Sequence, residues 1–144
     1  MSDKECKLPV GCRLIDVAAV GDERGVLSFT ECKGKLPFDV ERVFWIYDVP
    51  QGKARGGHAH RTCHELVFAV AGAFTMRVDD GQTAGEVRMD VPHRGILIPS
   101  GMWCELLDFA PGTVCVVLAS QPYDPTGYIN TREAYKAYRD ESDY

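Results

Sequence analysis

Short apolar segments alternate with glycine, proline and aspartate along this chain. Residues 26–32 (VLSFTEC), 40–49 (VERVFWIYDV) and 65–71 (ELVFAVA) are three of them. In 73–78, Phe74, Met76 and Val78 fall on one face, with Thr75 and Arg77 on the other. This period of two predicts a half-buried strand. Asp79-Asp80-Gly81 follows as a hairpin-type turn. Residues 85–91, 95–98, 102–108 and 113–120 are further strand candidates. Only 131–139 reads as a helix, with Tyr135 and Tyr138 spaced i, i+3 and Asn130 or Thr131 as the cap. Many short strands separated by Gly/Pro turns predict an all-β sandwich or barrel with a short C-terminal helix. A jelly roll is one such solution. The pattern alone does not choose among them.

Composition narrows the class. The 144 residues suit one domain spanning 1–144. With 45% hydrophobic and 26% charged residues, the chain has the make-up of a soluble globular protein. The net charge of −5 provides no basic face for nucleic acid. No apolar run approaches the ~20 residues of a membrane span. Six cysteines are present, but none forms a CxxC pair, and Cys115 sits in an apolar run as a small hydrophobe. The start of the chain, 1–9, is polar and charged rather than signal-like. These features together predict reduced thiols and a cytoplasmic protein.

The chemistry concentrates around His58-Ala59-His60. On a strand, residues i and i+2 face the same side, so both imidazoles project together. The preceding Gly56-Gly57 allows a tight backbone path. The spacing of Gly52, His58, His60, Glu65 and Gly72 resembles the first cupin signature at every fixed position. Gly95, Pro99, Gly101 and Cys104 resemble the second, with Cys104 where that signature has histidine and Asp108 where it has asparagine. The resemblance implies a cupin, a double-stranded β-helix or jelly roll. Glu65 is read as the partner that orients a histidine. His64 and His93 are given structural and solvated roles respectively.

A narrower resemblance covers the chain from Gly11 to about Tyr138. It rests on 22–25 (DERG), Pro37-Phe38, 41–43 (ERV), 55–61 (RGGHAHR), 78–81 (VDDG), 103–105 (WCE) and Asp108-Phe109. It continues through 117–120 (VLAS), Tyr123-Asp124 and Tyr128-Ile129. In these segments the chain resembles the dTDP-sugar 3,4-ketoisomerases, cupins acting on dTDP-4-keto-6-deoxyglucose. That implies a homodimer, a dTDP-linked keto-deoxysugar as ligand, a place in deoxysugar and lipopolysaccharide O-antigen biosynthesis, and a reaction with no cofactor and no metal. His58 falls on the family's first motif histidine and is the expected base. His60 is the expected partner that shuttles a proton or stabilises an oxyanion. Arg24, Arg55 and Arg42 are expected on the diphosphate, since guanidinium groups bind phosphate through charge-assisted hydrogen bonds. Tyr47, Trp103 and Glu105 complete the expected substrate-binding set.

Two departures stand out. The family usually carries tyrosine after the Arg-Val pair, as a proton-handling group. Here that residue is Phe44, and Tyr47, of Trp45's parity, is the nearest substitute. Glu65 stands where the family more often has glutamine. Three alternatives therefore stay open. One is a metal-dependent enzyme using His58, His60, Glu65 and Cys104. Another is a nucleotide-sugar epimerase, and the last a non-catalytic sugar-nucleotide-binding cupin.

Overall fold

The computed structural model describes residues 7–142. Cys6 and most of the polar start of the chain lie outside them. Twelve strands run in order: β1 (Arg13–Asp16), β2 (Ala18–Asp22), β3 (Gly25–Phe29), β4 (Arg42–Tyr47), β5 (Arg55–His60) and β6 (Glu65–Ala71). They continue as β7 (Phe74–Asp79), β8 (Ala84–Met89), β9 (Arg94–Ile98), β10 (Trp103–Leu107), β11 (Val114–Ala119) and β12 (Tyr128–Ile129). A single helix, α1 (Arg132–Ser142), follows. One five-stranded sheet has the order β1-β9-β6-β11-β4, the other β12-β5-β10-β7-β8. β2 and β3 form a separate hairpin. Every pairing is antiparallel. This is the expected all-β jelly roll with one C-terminal helix.

Strand alternation fills the space between the two sheets. β7 sends in Phe74, Met76 and Val78, each fully buried. β11 contributes Cys115 and Val117, and β6 contributes Val67 and Ala69. Phe74 stacks on Phe109 at 5.3 Å between ring centres. Burying a side chain of this size contributes roughly 1.5–3 kcal/mol. The opposite face of β6 and β9 presents Leu66, Phe68 and Leu97 to a second apolar cluster, covered by Ile15, Val17, Leu36 and Phe38. β6 is therefore apolar on both faces, which is why its sequence does not alternate.

Strand ends follow their partners. The run 26–32 pairs only up to Phe29, where β2 begins at its partner Ala18. The run 40–49 narrows to Arg42–Tyr47, the stretch that faces Ala119 to Val114 on β11. Asp48 then turns the chain at φ +57°. β1, β2 and β12 have no strong sequence signal. β1 and β2 are almost wholly exposed, and β12 has two residues. Helix α1 starts as expected, with the Ala134 N–H donating to Thr131 Oγ1 at 3.0 Å.

That helix closes the outer face of the second sheet. Tyr135 packs with Ala59, Trp103 and Ile129. Its hydroxyl donates toward the carbonyls of Gly101 (2.7 Å) and Asp79 (3.0 Å). Arg132 lies over the Trp103 ring at 4.6 Å and pairs with Asp79 at 2.8 Å. Tyr135→Phe is expected to lower unfolding stability by about 1–3 kcal/mol, because it strips a donor from two largely buried carbonyls. A denaturant titration that leaves the midpoint unchanged would show that water replaces the hydroxyl.

Candidate active site

β5 brings the histidines inward through a local irregularity. Its pairing with β10 shifts register between Cys104 and Glu105. Gly56 lies opposite that shift at φ +81°, and a Cβ there would sit 3.0 Å from the Cys104 carbonyl oxygen. Only glycine meets both demands. After this bulge, His58 pairs opposite Cys104, and His58 and His60 share the inward face. Their rings meet edge to face at 5.0 Å. Tyr128 of β12, paired with His60, places its ring 5.0 Å from His58 and 4.5 Å from His60.

His58 and Tyr128 border a cavity of about 350 Å³. Phe44, Ile46, Val67, Met76, Leu106 and Val117 supply its apolar lining. Arg55, His58, Glu65, Tyr123, Tyr128 and Asn130 supply the polar one. A mostly apolar cleft with a few convergent polar groups is the usual form of a small-molecule site.

The electrostatics favour a neutral imidazole. Burial pushes the His58 pKa below its usual 6.5, and His60 and Arg55 push the same way. Glu65 and a backbone hydrogen bond with Gly56 only partly oppose them. His58 is thus unprotonated at neutral pH, with a lone pair free to accept a proton. His60 is buried, and its Nε2 lies 3.1 Å from Glu65 Oε2. The approach is off the N–H axis, so Nε2 lacks an aligned hydrogen bond. Glu65 is therefore beside a histidine, as the sequence predicts, reaching across from the opposite sheet.

Cys104 pairs opposite His58 and lies in the core between the sheets. Its thiol is wholly buried, and burial, then Glu65, pushes its pKa well above the ordinary value. The Cys115 thiol is pushed up to about 12 for the same two reasons. Among the described residues no three His, Cys, Asp or Glu side chains converge as a metal-binding group. The five described cysteines are free.

The expected substrate-binding residues divide. Arg55 lines the cavity. Arg42 is half-buried beside it, its guanidinium over the rings of Phe44 (5.0 Å) and Tyr123 (5.7 Å). Arg24 sits on the β2–β3 hairpin, exposed and paired with Asp22, away from this chain's cavity. Three residues face elsewhere. Tyr47 lies on the outer face of β4 and is 59% exposed, because Phe44 and Ile46 take the inward positions. Trp103 and Glu105 alternate with the inward Cys104 and Leu106, so they lie under α1, where Trp103 Nε1 donates to Glu105 Oε2 at 2.9 Å. His60 shares the inward parity but stands behind Tyr128 and His58, outside the cavity lining. His64 is structural: its Nδ1 accepts from the Ser100 N–H at 3.0 Å. His93 is half-buried in the loop before β9.

Tyr128 is the site residue that sequence reasoning did not single out. Alternation with the apolar Ile129 shows that one of the two points inward. Nothing in the sequence pairs this dipeptide with His60 and Ala59 of β5, 68 and 70 positions earlier.

The WxcM-like, C-terminal (FdtA) family model matches residues 10–140. A TDP-4-oxo-6-deoxy-alpha-D-glucose-3,4-oxoisomerase from Aneurinibacillus thermoaerophilus is 32% identical over 126 residues, covering 88% of this chain and 91% of that protein. A mutant of the 3,4-ketoisomerase QdtA from Thermoanaerobacterium thermosaccharolyticum, solved in complex with TDP-4-keto-6-deoxyglucose, superposes with a TM-score of 0.89. It is 29% identical, with 93% of this chain and 97% of that one covered. The WlaRB TDP-quinovose 3,4-ketoisomerase from Campylobacter jejuni gives a TM-score of 0.84 at 29% identity, covering 90% and 99%.

The bulge at Gly56 is directly testable. Gly56→Ala is expected to cost about 1–3 kcal/mol through its left-handed backbone. Displacement of β5 should also weaken binding of dTDP, measured by calorimetry. Wild-type stability and affinity in this variant would show that the bulge does not set the histidines.

Proposed function

This chain belongs to the FdtA (WxcM-like, C-terminal) family, and we propose that it is a nucleotide-sugar 3,4-ketoisomerase acting on a dTDP-linked 4-keto-6-deoxyhexose. The observation that carries this reading is the neutral, half-buried His58 at the cavity wall, poised as a base in an apolar setting. The ketone at C4 acidifies the proton on C3. His58 takes that proton, and the C–H electron pair becomes the C3=C4 bond of an enediolate. A proton returned to C4 leaves the carbonyl at C3. Carbon 3 is oxidised and carbon 4 reduced within one molecule, so the balance requires no external redox partner. His60, held against Glu65, acts behind the cavity by fixing the ring of His58. Arg55 and Arg42 supply positive charge at the cavity for the diphosphate. The free thiols support a reducing, cytoplasmic setting.

A homodimer fits the surface. Val26, Leu27 and Phe29 on β3 are exposed, as are Val43, Trp45 and Tyr47 on β4. A two-stranded hairpin with apolar side chains on both faces is marginal in water unless something covers it. A second copy is the cover we propose.

Two outcomes test these readings. In deuterated water, NMR should show wild type moving the ketone to C3 with deuterium incorporated, and His58→Asn slowed by about 10²–10⁴-fold. Protonation disables the base, and its pKa lies below 6.5, so kcat/KM should hold through neutrality and fall only in acid below that value. Wild type that leaves the sugar untouched, or returns it epimerised, would sink the assignment. Trp45→Glu should convert a dimer into a monomer in analytical ultracentrifugation; a wild-type monomer would dismiss the interface.

A further inference from the structure

Ketoisomerisation moves two protons, and His58 accounts for one of them. The carbon-bound proton passes from C3 to C4. A second proton must reach O4 as the enediolate forms, and another must leave O3 as the new carbonyl forms. The family position for a proton-handling tyrosine is Phe44, which lines the cavity but carries no exchangeable proton. Tyr47, the nearest tyrosine on that strand, faces outward.

The other protic groups of the cavity can be weighed in turn. Cys104 is a wholly buried thiol whose ionisation is strongly opposed. Glu65 is engaged with His60 Nε2. Asn130 has no titratable proton. Tyr123 is 63% exposed, at the solvent edge. Tyr128 is different in every respect. It lines the cavity, it is half-buried, and its ring touches the rings of both histidines.

We propose that Tyr128 is the second proton-transfer residue and that Arg42 positions and supports it. The proposal rests on the ketoisomerase reading. In the first half-reaction the Tyr128 hydroxyl gives its proton to O4 while His58 removes the C3 proton, producing a neutral enediol. In the second half-reaction the phenolate takes the proton from O3, whose electrons form the C3 carbonyl. The C3=C4 pair then accepts the proton from His58 at C4. Both residues end as they began. Ring centres 5.0 Å apart allow the two groups to serve neighbouring carbons of one sugar.

Arg42 explains why a phenol works at this place. Burial opposes its charge, but the Tyr128 hydroxyl and the Cys63 thiol outweigh that effect and hold it cationic. Its Nε is buried without a hydrogen-bond partner. The Phe44 ring, 5.0 Å beneath the guanidinium, holds it by a cation–π contact. A fixed cation thus stands where negative charge develops as the phenol gives up its proton. Phe44 keeps a role in this site as a platform for Arg42.

The test compares wild type with Tyr128→Phe on dTDP-4-keto-6-deoxyglucose. Loss of a positioned acid–base group is expected to lower kcat by about 10²–10⁴-fold while dTDP affinity and melting temperature stay at wild-type values. A variant that turns over at the wild-type rate overturns the proposal. So does a fall in kcat matched by equal losses of dTDP affinity and stability. Should the deletion of the hydroxyl disturb folding, 3-fluorotyrosine placed at position 128 keeps it and makes it more acidic. The alkaline limb of kcat should then move to lower pH, and an unmoved limb overturns the proposal. Wild type inactive on the sugar removes the functional reading and this proposal with it. An active wild type with an undiminished Tyr128→Phe removes this proposal alone.

Discussion

Two imidazoles on alternate residues of β5 point into a largely apolar interior, and a buried polar ring without a partner costs a few kcal/mol. The rest of the site is arranged around that burden. Glu65, on the opposite sheet, comes within 3.1 Å of His60 and links the two layers at the point where they enclose the cavity. His58 faces the cavity, and burial, with His60 and Arg55, outweighs Glu65 and the Gly56 backbone hydrogen bond and keeps its ring neutral. The same burial that makes a histidine costly to place here keeps its imidazole neutral.

Geometry follows from one residue, Gly56. Without the bulge opposite Cys104, β5 would run in regular register with β10, and its parity would reverse beyond that point. A one-residue slip exchanges the two faces of a strand. The histidines would then point toward α1, and Ala59 would point into the cavity. Under α1 the space is already filled by Trp103 and Tyr135. The helix and the bulge therefore enforce the same outcome from opposite faces of the sheet.

The cavity end of the barrel draws one aromatic wall from each sheet. Phe44 enters from the first sheet, while Tyr128 enters from the far edge of the second. They meet over the same space because the sheets close there. Arg42, two residues before Phe44 on the same face, bridges the rings of Phe44 and Tyr123 and lies beside Tyr128.

Much of this was legible in the chain alone. Period-two alternation at Phe74, Met76 and Val78 determined a half-buried strand, because a strand's side chains have only two directions. The alternation of His58 and His60 determined that both imidazoles share a face, because i and i+2 on a strand do, and the resemblance to the first cupin signature placed Glu65 with them. The sequence could not determine which face of β4 is inward. Phe44 with Ile46 and Trp45 with Tyr47 are both largely apolar pairs, and only the pairing of β4 with β11 at the sheet edge decides between them. It could not place Tyr47, Trp103 and Glu105 outside the cavity, for the same reason of register. Tyr128 depended wholly on tertiary structure. Its neighbours His58 and His60 are remote in sequence, and a two-residue strand carries no period from which its direction could be read.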